Sequence, residues 1–199
     1  MTTTRTDEGS PRSRNAVATR KALVDAAIAQ FTEEGFAGAS IDRIAKAADL
    51  TKGAVYHHFD DKQQLFEGAF TAVEERFLDR LGPGTDGIDE PRPLLAATLD
   101  LFLAQCREPD YLRIAVIEAP AALGWVRWKE LGERYFPGRV SRAVDSLYGV
   151  DRSDSAAGLV VAAASAAGLE FSTVATHRAP AERQRLGALL MRMVDALGA

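Results

Sequence analysis

The stretch Ile41-Asp-Arg-Ile-Ala-Lys-Ala-Ala-Asp-Leu-Thr-Lys-Gly-Ala-Val-Tyr-His-His-Phe59 reads as two short helices joined by a tight turn. Ile41, Ile44, Ala45 and Ala48 recur at helical spacing and give the first helix one apolar face. Ser40 stands at its N-cap, where a hydroxyl accepts a backbone N–H that has no partner inside the helix. Asp49 and Leu50 make the turn; a positive φ is expected at Asp49, which Asp tolerates better than most non-glycine residues. Thr51 caps the second helix, on which Val55 and Phe59 lie four apart and face inward. Thr51, Lys52, Gly53, Ala54, Tyr56, His57 and His58 are left for solvent or a partner. A helix-turn-helix offers a DNA major groove a helix N-terminus of this kind.

The pattern extends on both sides. RKALVDAAIAQ (residues 20–30) and Phe31-Thr-Glu-Glu-Gly-Phe36 precede it, and Asp61-Lys-Gln-Gln-Leu-Phe66 follows. From about residue 19 to residue 66 the chain resembles the N-terminal domain of the tetracycline-repressor-like (TetR) family of bacterial regulators. The resemblance is carried by Ile44-Ala-Lys-Ala-Ala48, Thr51-Lys-Gly-Ala-Val-Tyr-His-His-Phe59, Lys62 and Leu65-Phe66 in register. Asp49 departs from it, since the family usually has glycine in the turn.

Composition sets the bounds. The chain has 199 residues, enough for one large or two small domains with ample core. No apolar run approaches the roughly 20 residues of a membrane span. Residues 1–15 hold no hydrophobic stretch, so no secretory segment is read there and a cytoplasmic location is expected. The single Cys106 excludes an internal disulfide and a cysteine metal cluster, and reads as a small buried hydrophobe. There is no Gly-x-Ser-x-Gly, no phosphate-binding glycine loop and no metal-spaced His/Cys cluster, so no enzyme, no cofactor and no metal are expected. His57 and His58 are adjacent and point about 100° apart on a helix, which does not suit a shared ion.

A net charge of −4 is unusual for a nucleic-acid binder, but it is unevenly spread. Residues 1–66 carry nine Lys/Arg and nine Asp/Glu, so the remainder carries the whole deficit of four. Binding must depend on local placement of charge, with a cationic tail and Arg43, Lys46, Lys52 and Lys62 near phosphates. A marked salt dependence follows from counterion release.

Every periodic segment has the helical period, so the fold is expected to be all-α; the resemblance implies a three-helix helix-turn-helix DNA-binding domain followed by a helical ligand-binding and dimerisation domain. The expected divisions are a disordered basic arm at 1–15, the DNA-binding domain at 16–66 and the effector and dimerisation domain at 67–199. The first helix spans about 16–34, with Leu23, Ala26, Ala27, Gln30 and Phe31 on one face and Gly35 ending it. Asp60 or Asp61 caps a long fourth helix to about Leu81, apolar at Phe66, Ala69, Phe70, Val73 and Phe77. Gly82-Pro-Gly-Thr-Asp-Gly87 is read as a breaker, marking a linker or loop. Five further helices are expected: about 93–107; 110–117, closed by Pro120; 123–135, with Pro137-Gly138 splitting it from 140–148; 156–176, rich in small residues; and a last one opened by Pro180.

In the head, Lys52 is placed to reach a phosphate or guanine O6/N7 from the first turn of the second helix. Gly53 and Ala54 let the backbone approach the groove, and Tyr56 presents a hydroxyl at phosphate height, a backbone contact in the resembled family. His57 is the expected base or phosphate contact, while His58 packs partly against the first helix. Lys62 is expected on a phosphate beside the fourth helix's positive end. Ser40 and Arg43 lie on the helix that crosses the DNA backbone, and Thr51 and His58 complete the set.

One head reads a short half-site, so a homodimer with recognition helices about 34–36 Å apart is expected on a double-stranded palindromic operator. Gly158, Val161, Ala162, Leu169, Leu186, Leu190, Met193 and Leu197 are the expected interface, forming a four-helix contact between two copies. The resemblance further implies a small-molecule effector. Phe102, Tyr111, Glu118, Trp125, Trp128, Glu170, Phe171 and His177 supply apolar walls with a few polar groups, suited to a hydrophobic or aromatic ligand. Glu118 and Glu170 each need a partner such as Arg113 or Arg127. The expected function is a ligand-responsive transcriptional repressor, with an activator or a ligand-independent DNA binder as the alternative.

Overall fold

Leu23, Val24, Ala27 and Phe31 are buried along one side of α1 (Pro11–Gly38), as their spacing requires. The computed structural model describes residues 11–135, 138–148 and 180–197. The expectations for Gly158, Val161, Ala162, Leu169, Glu170, Phe171 and His177 fall outside these residues. Among the described residues every regular element is helical, and the fold is all-α.

Helix α1 begins at Pro11, ahead of the expected Ala16, so residues 11–15 are helical rather than part of a disordered arm. Proline suits a first helical turn, where its missing N–H has no partner to lose. Gly35 (φ 72°, ψ 176°) occupies backbone space that is essentially glycine-only. It kinks the chain where the sequence places the helix end, and one more turn runs on to Gly38.

The helix-turn-helix follows as α2 (Ile41–Ala47) and α3 (Lys52–His58). The turn closes as a Schellman motif: Leu50 N–H donates to the Ala45 carbonyl (2.9 Å) and Asp49 N–H to the Lys46 carbonyl (3.1 Å). Asp49 takes φ 56°, a positive value that no other non-glycine residue shares among those described. The Thr51 hydroxyl accepts from Ala54 N–H (3.2 Å), capping α3 as expected. Ser40 differs. Its side chain makes no capping bond; instead its own N–H donates to Gln30 Oε1 (2.9 Å), so α1 holds the start of α2.

Helix α4 (Lys62–Thr85) is capped by Asp61, whose Oδ1 accepts from Gln64 N–H (2.7 Å), while Gln64 Oε1 accepts from Asp60 N–H (2.7 Å). This is a close variant of the reciprocal capping box. The chain divides within α4, after Ala69, into two compact units. In the first, the rings of Phe31, Phe36 and Phe66 meet with centroids 5.0–6.1 Å apart, around buried Ile44, Val55, Phe59 and Leu65.

In the second unit, the expected break at Gly82 does not occur and α4 continues through Gly82-Pro83-Gly84 to Thr85. Pro83 removes a single N–H near the helix end, and the Thr85 hydroxyl donates to the Leu81 carbonyl (2.8 Å). Gly84 serves close packing rather than a break: a Cβ there would stand 2.7 Å from Leu101 Cδ1 on α5 (Pro91–Gln105). A short helical turn, α6 (Pro109–Tyr111), leads into a π-helical segment (Leu112–Glu118) and α7 (Ala119–Leu123). Pro120 therefore does not close this helix. The backbone widens just before it, with Ala119 N–H bonded to the Ile114 carbonyl, which relieves the clash of the proline ring with the preceding turn. Gly124 (φ 79°) ends α7 instead.

Helices α8 (Trp125–Tyr135), α9 (Gly138–Tyr148) and α10 (Pro180–Leu197) complete the described body. Leu95, Leu99 and Leu103 of α5 pack with Val140 and Val144 of α9 and with Leu190 and Met191 of α10. Leu190 is buried in this core of the subunit, and Leu186 packs partly buried against the same cluster. Helical spacing marks apolar positions without saying which of two apolar faces turns inward. Leu189 and Met193 are the exposed ones, at 51% and 55%. Arg92 ties the start of α5 to Asp195 with two bonds of 2.9 and 2.7 Å. The pairing raises the arginine above its ordinary value and lowers the carboxyl below its own.

Candidate nucleic-acid interface and the aromatic cluster of the body

Val55 and Phe59 are fully buried and fix the rotation of α3, which turns the remaining side chains outward. Thr51, Lys52, Gly53, Tyr56 and His57 are exposed, while Ala54 and His58 are half-buried. Tyr56 stands out at 50% exposure for a large ring. The His57 and His58 rings meet edge to face at 5.2 Å. Burial, then the neighbouring His57 and Arg20, lowers the His58 pKa, so the imidazole is favoured over the imidazolium. Arg20 of α1 stacks over the Phe59 ring at 4.7 Å.

The cations of this face are positioned by partners that the motif reading left out. Lys52 Nζ lies 3.1 Å from both carboxylate oxygens of Asp42 on α2. The hydrogen bond and the charge of Asp42 raise the ammonium pKa. Arg43 is bound to the Glu34 carboxylate and donates to the Gly38 carbonyl (2.7 Å), joining α2 to the last turn of α1. Lys62, the residue expected on a phosphate, is engaged within the head. Its ammonium donates to the carbonyls of Phe36 (2.9 Å), Ala39 (3.2 Å) and Ala37 (3.5 Å), and it sits 4.6 Å from the Phe36 ring centre. Three donors meet three carbonyls that a helix end leaves without partners. Partners of this kind, set by distant carbonyls and by i to i+10 contacts, have no local sequence signature.

In the body, the structure separates residues that the sequence grouped. Phe102 and Tyr111 come together with Phe77 of α4, ring centres 5.6–6.3 Å apart. Trp125 and Trp128 pair with each other at 4.9 Å, and Trp125 is 60% exposed. Glu118 does find the partner expected for it, Arg113 at 3.0 Å, brought alongside by the π-helical turn. Glu74 was not visible as a candidate, since on the helix pattern it is one acidic residue among several. Its carboxyl lies beside the aromatic cluster and accepts from Tyr111 Oη at 3.3 and 3.4 Å. Burial pushes it up to about 7, against a smaller lowering by the tyrosine bond. Cys106 is wholly buried, and burial followed by the Glu74 charge pushes its thiol up to about 12, which makes it inert as a nucleophile.

An exposed second-helix face on a buried helix-turn-helix, joined by a long helix to a separate helical unit, defines a DNA-binding regulator. Family models agree: that of bacterial regulatory proteins of the tetR family matches residues 23–69, and that of the tetracyclin repressor-like C-terminal domain matches residues 94–197. The chain belongs to the tetR family of bacterial transcriptional regulators. The Transposon Tn10 TetC protein of Escherichia coli is 27% identical over 139 residues, 68% of each chain. The probable acrEF/envCD operon repressor of Escherichia coli K12 is 47% identical over 51 residues, 26% of this chain and 23% of that protein. The crystal structure of RolR in complex with the ligand resorcinol shares the fold, with a TM-score of 0.68 at 19% identity over 94% of this chain and 96% of that one.

Proposed function

We propose that the protein is a cytoplasmic, ligand-responsive repressor that binds a palindromic operator as a homodimer and is released by a small hydrophobic or aromatic effector. The observation that carries the DNA reading is the α3 face, with Thr51, Lys52, Gly53, Tyr56 and His57 exposed over a fully buried Val55 and Phe59. On duplex DNA, Lys52 leaves Asp42 for a phosphate or a guanine edge, Tyr56 meets the backbone, and His57 contributes sequence preference. Ser40 and Arg43 lie along the helix that crosses the strand, while Lys62 acts by holding the end of α1. The repressor reading is supported by the similarity to the acrEF/envCD operon repressor over the DNA-binding stretch.

The exposed pair Leu189 and Met193 on α10 supports a second copy docking there. The Phe77, Phe102 and Tyr111 cluster supports an aromatic effector, and RolR, of like fold, was crystallised with the ligand resorcinol. A coupling of about 1–3 kcal/mol between effector and operator would change operator affinity roughly 5- to 150-fold. The test is a selection of bound sequences from random DNA duplexes. Recovery of inverted half-sites one helical turn or its multiples apart, about 34–36 Å per turn, is the expected result. Recovery of no enriched sequence would overturn the reading.

A further inference from the structure

Among the described residues the arginines near the aromatic cluster each have their own carboxylate. Arg76 binds Asp110 (2.7 Å), Arg80 faces Glu108 (3.8 Å) and Arg113 binds Glu118 (3.0 Å). Glu74, on the same stretch of α4, has none. Its one described partner is the Tyr111 hydroxyl, at long distances of 3.3 and 3.4 Å. An ionised carboxylate presents about four acceptor positions, and a buried one without a counter-charge is costly. The Tyr111 ring that bonds it packs against Phe77 and Phe102, and the faces of such rings attract a cation. A carboxylate with no cation among the described residues, bonded to one member of an aromatic cluster, is complementary to a cation with an apolar frame.

We propose that Glu74, with Tyr111, Phe77 and Phe102, recognises an organic cation, a protonated amine carried on an aromatic or hydrophobic frame. This rests on the effector reading above and gives its ligand class. The ammonium ion-pairs with Glu74 and the rings enclose the frame. Binding also fixes the charge state of Glu74: a carboxyl that sits near pH 7 gives up its share of proton when a cation docks beside it.

The experiment is isothermal titration of the full chain at pH 7 with 4-phenylbutylamine and, separately, with the isosteric 4-phenylbutanol, each in two buffers of different ionisation enthalpy. The amine is expected to bind at least about tenfold tighter than the alcohol, because only it supplies the missing charge. It is also expected to release a fraction of a proton, because burial raises the Glu74 carboxyl to about 7 and leaves it part-protonated at pH 7. In Glu74→Gln the amine and the alcohol should bind alike and the proton release should vanish. Should the variant fail to fold, proton release by the unaltered protein still decides the matter. Equal affinity for alcohol and amine, absence of proton release, or binding of neither compound would overturn the proposal. Operator binding measured on the same preparation separates the two readings. DNA binding without amine binding sinks the ligand class alone, and amine binding without DNA binding sinks the regulator.

Discussion

Lys52 and Asp42 form an ion pair across the helix-turn-helix, with the ammonium 3.1 Å from each carboxylate oxygen. Both side chains are exposed, so the pair is easily exchanged for a phosphate. It holds the ammonium over α2 in the free protein.

Lys52→Ala should weaken operator binding and reduce the slope of log affinity against log salt by about 0.9, the value of one phosphate contact. Asp42→Asn should do the reverse, tightening binding by up to about fivefold, since it frees the ammonium and removes a negative charge from the DNA-facing side. Fluorescence anisotropy over a salt series reads both. An unchanged slope in Lys52→Ala would remove this residue from the interface.

Lys62 tests a different role. Because its ammonium joins the carbonyls of Phe36, Ala37 and Ala39, Lys62→Met should lower the stability of the first unit by about 1.5–3 kcal/mol in the absence of DNA. Urea unfolding followed by circular dichroism checks this. A variant of unchanged midpoint that still loses operator binding would restore the phosphate role expected from the sequence.

Asp49→Gly should stabilise the protein by about 0.5–1 kcal/mol. A non-glycine residue at φ 56° is strained by about 1–2 kcal/mol, and glycine gives back part of that gain through its freer unfolded chain. Thermal unfolding is the measurement, and a lower midpoint would show that the aspartate side chain itself supports the turn.

Glu74 makes stability depend on pH. Its folded carboxyl titrates near 7, raised from an ordinary 4.5, so between these values the unfolded chain loses a proton that the folded chain keeps. Stability is therefore greatest below pH 4.5 as far as this group is concerned, falls as pH rises, and is lowest above 7. The total is on the order of 3 kcal/mol or less. His58 has the opposite slope. Its lowered pKa means that stability is lost as pH falls below 6.5. Urea midpoints from pH 5 to 8 should decline in the unaltered protein and flatten in Glu74→Gln, with higher stability of the variant at pH 8. Parallel curves would remove Glu74 from the buried site.

Met193→Glu together with Leu189→Glu should convert the proposed dimer to a single subunit, since both side chains are exposed and outside the α5, α9 and α10 core. Sedimentation velocity reads the change. Loss of helical signal in the same variant would show instead that the positions support the fold.

Much of the head was legible because its signals are local. Helical spacing placed Ile44, Val55 and Phe59 inward, Thr51 capped α3, and Asp49 took the turn. The errors came where a distant contact outweighed a local preference. Gly82-Pro83-Gly84 reads as a break, but the packing of Leu101 over Gly84 and the Thr85 hydroxyl keep α4 helical. Pro120 reads as a stop, but a π-helical turn accommodates it. Glu74 and Phe77, which carried no local signal, join Tyr111 from a helix far earlier in the chain.

The order of residues by itself determined the all-α class, the helix-turn-helix and its outward face, because helix period, caps and turns act within a few neighbouring positions. Tertiary structure alone decided which partner each charge takes: Lys52 with Asp42, Lys62 with the end of α1, and Glu74 with a tyrosine and no cation among the described residues. Electrostatics depends on distance through space and on burial, and neither is written in the spacing of residues along the chain.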